Sequence, residues 1–183
     1  MSQEIKALNE HDAAGHSLVA AASKTNESLG PFSSWLIAGV GAAFSLLIAN
    51  VDKISQFVCL YHIRIALLML LIGLIVSIFA RLLSAMVSAA LGSREAGLGL
   101  AKQIQESGRP FDVKIFITEY ERGLFPYQRW LARKSMDKAI AGDSVAVARM
   151  IAKLSQTQAI LVLTETLLVA VAAGVLVVGL RTQ

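Results

Sequence analysis

The sequence holds one cysteine, Cys59, and three histidines, none beyond His62. A lone thiol cannot close an intramolecular disulfide, and no metal-ligand partner stands at a recognisable spacing from it. After His62 the commonest general base, the thiol nucleophile and the soft metal ligands are all missing. His11 and His16 are five residues apart, off the spacing that shares a helix face, and read as solvent-exposed polar residues. Phosphate-cradling glycine patterns are absent, since "GLGLA" at Gly97–Ala101 lacks both a third glycine and a preceding strand. Ser135 beside Lys134 and Ser155 near Lys153 are pairings that chance supplies. A non-enzyme with no cofactor, metal or catalytic residue is expected.

Charge is scarce too. Asp, Glu, Lys and Arg make up 16% of the 183 residues and the net charge is only +4, against roughly 25% charged residues in a soluble domain. Without a clustered positive excess or a recognisable module, direct nucleic-acid binding is not expected.

What fills the sequence instead is apolar: 55% of residues are hydrophobic and the mean hydropathy is +0.61. Crossing a hydrocarbon core takes about 18 or more residues with few charges. Phe32–Asn50, "FSSWLIAGVGAAFSLLIAN", carries no charge over 19 residues. The second stretch begins near Phe57, has His62 and Arg64 close to one end, and is uncharged over the 16 residues Ile65–Ala80. The third, Gln158–Leu180, contains only Glu165 as a charge. The expected fold is all-α: a polytopic integral membrane protein with three transmembrane helices at 32–50, 57–84 and 157–180, and a helical cytoplasmic segment at 85–156. Cys59 is expected to pack within the second span.

Basic residues set orientation, because they gather on the cytoplasmic side. Eleven Lys and Arg lie between Gly92 and Thr157, against Lys53 alone in the 51–56 loop. The long segment is therefore expected in the cytoplasm with the polar 1–31 stretch, the short loop and the 181–183 tail outside, in a bacterial inner membrane. Nothing in 1–31 resembles a secretory signal, since four acids face two lysines there. Its sparse apolar residues predict a frayed surface helix or partial disorder. Turn chemistry at Ser107–Pro110, Gly123–Pro126 and Ala141–Asp143 divides the long segment into helices. "FDVKIFITEY", Phe111–Tyr120, alternates like a strand but lacks a strand partner and is assigned as helix. From Asp143, a plausible N-cap, one helix is expected to run through the third span.

Two features stand out as candidate sites. In "GLFPYQRWLARKSMDK", 123–138, aromatic and basic residues interleave, and Tyr127, Arg129, Trp130, Arg133, Lys134 and Lys138 suit the headgroup layer of an anionic leaflet. An ordinary solvated basic face is the equal alternative. The other feature is a polar stripe, Ser77, Arg81, Ser84 and Ser88, which helical spacing puts on one face of the second span. Arg81 is either a boundary marker whose guanidinium snorkels to phosphates, or one half of an intramembrane pair with Glu165, within or between protomers. Small residues at four-residue intervals (Ser34, Ala38, Ala42; Gly39, Ala43; Gly73, Ser77; Thr166, Ala170, Gly174) allow close helix approach, and a homo-oligomer is expected.

In layout (small size, two closely spaced spans, a helical cytoplasmic part and charges within "SIFARLLSAM" and "LTETLLVAV") the chain resembles small transmembrane effectors of bacterial anti-phage systems, those accompanying retrons or cyclic-nucleotide signalling. The resemblance implies an oligomeric effector that perturbs or permeabilises the membrane on a signal from a cytoplasmic partner. The alternative is a scaffold or accessory subunit that recruits a cytoplasmic partner or supports a transport complex.

Overall fold

A computed structural model describes residues 10–108, 112–123, 126, 129–130, 133, 137–138, 141, 143 and 145–180. Five helices are named in order: α1 (Glu10–Ala49), α2 (Val51–Ile54), α3 (Leu60–Ser107), α4 (Val113–Arg122) and α5 (Ala146–Val178). No strand occurs among the described residues; the one extended pairing is an isolated antiparallel bridge between Val58 and Leu180. Three helices, α1, α3 and α5, are long and apolar enough to cross a membrane.

The chain divides into two compact units, one made of Lys24–Val87 with Leu154–Gln183 and the other of Met1–Ser23 with Ser88–Lys153. The first, called the bundle unit here, contains the apolar parts of all three long helices. Along α3 its buried positions are Ile63, Ala66, Leu70, Gly73, Ser77, Ala80, Ser84 and Val87. Spacings of three and four make a seven-residue repeat, the pattern by which helices pack at a shallow crossing angle. Half of those positions or more are Gly, Ala or Ser, so neighbouring backbones can come close. The repeat continues on α5 through Ser155, Gln158, Val162, Glu165 and Ala172, and α1 adds Ser33 and Val40.

Towards the α2 end of the bundle the core is apolar: Val40, Ala66, Leu70 and Ala172 form one cluster, flanked by Phe44, Leu47 and Leu176. An open groove of about 540 Å³ on this side is lined by residues such as Leu47, Leu70, Val169 and Ala172, with Asn50 and Lys53 its polar members. The glycine with least room for a side chain lies at the same end. Gly179 sits so close to His62 that a Cβ at this glycine would fall 2.6 Å from the His62 Cβ. Its carbonyl accepts the Cys59 N–H at 3.0 Å.

Cys59 thus precedes α3, which begins at Leu60, and does not pack inside the second span. A second departure is at the other end of the chain, where α1 is already helical from Glu10 and passes through Pro31. The polar stretch before Phe32 is an ordered helix from that residue onward.

In the second unit, Gly15 lies against Val145 and Ala148, where an added Cβ would be 3.5 Å from a Val145 methyl. Asp143 caps the turn before α5: its Oδ1 accepts the Val145 N–H at 3.2 Å, and Arg149 holds both carboxylate oxygens at 2.6 and 2.8 Å. The strand-like run folds as helix α4, in which Phe116 stacks on Tyr120 at 6.2 Å and Tyr120 Oη donates to Ser93 Oγ at 3.3 Å. Helix α3 ends at Ser107, and Gly108 follows at φ +62°, the left-handed position that glycine fills without a Cβ clash.

Candidate functional site

In water a protein buries apolar side chains; the bundle unit does the reverse over half its length. Ser33, Ser77, Ser84, Ser155, Gln158 and Glu165 are all buried. Meanwhile Trp35, Leu68, Ile75, Phe79, Leu163 and Leu167 stand exposed. Large contiguous apolar surface marks a non-aqueous partner, and polar groups turned inward are what a helix bundle shows when its surroundings are hydrocarbon.

The polar groups form a seam centred on α3, in three levels. Nearest the second unit's residues in sequence, Ser84 Oγ donates to Asn26 Oδ1 on α1 at 2.8 Å. At the next level Arg81 Nη1 donates to the Gly30 carbonyl at 3.1 Å and to Ser34 Oγ at 2.6 Å. Ser34 itself donates back to that carbonyl at 3.0 Å. Gly30 is buried beside Ser84, whose Oγ would lie 3.8 Å from an added Cβ. One turn further along α3, Ser77 Oγ donates to Glu165 Oε1 on α5 in a short hydrogen bond.

Arg81 and Glu165 are therefore not paired within the chain. Antiparallel packing sets Glu165 level with Ser77, a turn away from Arg81, and α1 takes the arginine. Arg81 remains exposed and lies level with Gly30–Ser34, where the uncharged stretch of α1 begins. Of its predicted stripe, Ser77 and Ser84 are buried in the seam, and Ser88 is exposed.

Sequence reasoning missed α1's share of the seam (Asn26, Gly30, Ser33) and the role of Gln158. Gln158 was the signal within reach, since it falls seven residues before Glu165 on the same helical face. Several of these groups lack partners: Glu165 Oε2, Ser33 Oγ and both amide atoms of Gln158 are buried without a hydrogen bond among the described residues. Each such group costs about 1–3 kcal/mol while it stays unsatisfied.

The small-residue stripes separate into two kinds. Gly73 and Ser77 are buried, whereas Ala38, Gly39, Ala42, Thr166, Ala170 and Gly174 face outward. In the 123–138 stretch, Arg129, Trp130, Arg133 and Lys138 are exposed, Trp130 at 79%. Tyr127 and Lys134 lie outside the described residues. No protein-family model, curated protein or solved structure matches the chain. The reading of function accordingly rests on the seam.

Proposed function

We propose that the chain is a non-enzymatic, multi-pass protein of a bacterial inner membrane that acts as an oligomeric effector, perturbing or permeabilising the bilayer when a cytoplasmic partner signals. The observation that carries this reading is the inverted bundle, with a seam of buried polar groups inside and bare aliphatic and aromatic side chains outside. Merely anchoring a partner needs no buried carboxylate, and intramembrane ionisable groups are expensive enough to be functional by default. The Arg81 end faces the cytoplasm, as do the eleven basic residues between Gly92 and Thr157. Exposed Trp130, Arg133 and Lys138 suit the inner leaflet's headgroups. The outward small residues Thr166, Ala170 and Gly174 leave a face of α5 on which a second copy can approach closely. In the setting that the layout resemblance implies, the signal is phage infection.

Inducible expression in cells loaded with a potential-sensitive dye tests this. Depolarisation and growth arrest are expected, and Glu165→Leu, which removes the buried carboxylate and keeps an apolar side chain, should abolish both at equal membrane levels. A protein that reaches the membrane, recruits its partner and leaves the potential unchanged would be a scaffold.

A further inference from the structure

We propose that Glu165 is a proton-exchange site reached only from the Arg81 end of the bundle; this rests on the membrane placement proposed above but not on the effector role. Glu165 is 0% exposed, its Oε1 is held by Ser77, and its Oε2 has no partner among the described residues. Two more buried and unpartnered residues stand between it and the Arg81 end. Seven residues along α3 from Ser77 is Ser84, and seven back along α5 from Glu165 is Gln158. Antiparallel packing therefore makes Gln158 level with Ser84, two turns or about 10 Å from Glu165. Ser33 falls between them, because its neighbour Ser34 bonds to Arg81.

Gln158, Ser33 and Glu165 are thus spaced about a turn apart, each with hydrogen-bonding capacity that no protein group uses. A buried water takes two to four polar partners, and such stepping points support a hydrogen-bonded chain along which protons move. Beyond Glu165 the line of buried polar groups breaks off until His62 Nδ1 at the far end. Val40, Ala66, Leu70 and Ala172 form an apolar core there, and the groove that reaches Leu70, Val169 and Ala172 has only Asn50 and Lys53 as polar members, so it offers no stepping points for a hydrogen-bonded chain. The polar route is one-sided.

The ligand is a proton because the site is too poor in oxygens for a metal ion. Hard cations take about six oxygen ligands, whereas Glu165 offers one free oxygen with Ser33 a turn away, and the surrounding backbone carbonyls belong to helices. A proton needs only the Oε2 lone pair; it arrives through the chain and leaves the same way, with no other bond made or broken. Among the described residues no ion pair fixes the carboxyl's charge. On α3 Arg81 is held by Gly30 and Ser34, while Tyr61, His62 and Arg64 lie at the far end. From Phe32 to Asn50 α1 has no titratable side chain, and from Leu154 to Val178 α5 has no other.

Dicyclohexylcarbodiimide tests the proposal on the wild-type protein. This apolar reagent adds a protonated carboxyl across its C=N bond, the oxygen bonding to carbon and the proton passing to nitrogen, and the adduct rearranges to a stable acylurea. Peptide mass mapping of right-side-out and inverted membrane vesicles should find the adduct on Glu165, with none from a water-soluble carbodiimide. Above the midpoint, each unit of pH on the Arg81 side should slow labelling about tenfold, while pH on the other side has no effect. Glu165→Gln confirms the assignment. Failure of Glu165 to label, an equal response to pH on both faces, or protection by sodium at fixed pH would overturn the proposal. Release of the protein by alkaline carbonate would instead overturn the membrane placement, and labelling without depolarisation would overturn the effector role alone.

Discussion

At the scale of single residues, two positions in the bundle unit are fixed by contact rather than by type. Gly179 admits no side chain, since a methyl group would meet His62 at 2.6 Å, well inside van der Waals distance. Gly179→Ala should push the end of α5 away from the start of α3 and cost about 1–3 kcal/mol, the usual penalty for overpacking. Detergent-titrated unfolding, followed by far-ultraviolet circular dichroism, measures it, and wild-type stability in that variant would show that the two ends are not in contact. Arg81 is the other. Its place in an apolar helix stands out in the sequence, but its partners do not, because a backbone carbonyl that accepts from another helix leaves no mark that spacing can detect. Depth alone made Glu165 look like the natural counter-charge; the antiparallel register separates them by one turn.

At the scale of elements, the three apolar helices were readable because each carries a long run with few charges, but α3's buried line was read only in part: Ser77 and Ser84 lie on it, while Ala80 and Val87 take the places that the polar stripe gave to Arg81 and Ser88. The extension of α1 back to Glu10 was not readable. Buried along that stretch are Gly15, Ala22 and Gly30, which are too small to draw an apolar stripe, and the larger Leu18 and Val19 are only half-buried. Helix α3 also reverses the usual rule for substitutions. Ala80 is fully buried and Ile78 is 52% exposed, so Ala80→Leu should destabilise by about 1–3 kcal/mol although it adds apolar surface. Ile78→Lys, harmless on the surface of a soluble helix, should cost about 2.5–3.5 kcal/mol of membrane insertion. Glycosylation-tagged insertion assays for the lysine variant and unfolding for the leucine variant check the pair; a silent Ile78→Lys would place that face in water.

At the scale of the whole molecule, the proposed orientation rests on charge, and a single native thiol makes it easy to test. With Cys59 replaced by serine, single cysteines at the exposed positions Gln56 and Gln103 should behave oppositely towards an impermeant maleimide. Gln56→Cys should react in intact cells, and Gln103→Cys only after permeabilisation; the reverse pattern would invert the topology. Trp35 offers a different kind of probe. It is 78% exposed on α1, one turn past Pro31, and the described residues leave most of its surface uncovered. With Trp130, the other tryptophan, replaced by phenylalanine, fluorescence comes from a ring whose colour is set by the solvent it meets. Emission shifted to the blue and quenched by brominated acyl chains would measure, in ångströms below the phosphates, how deeply this end of the helix lies in lipid.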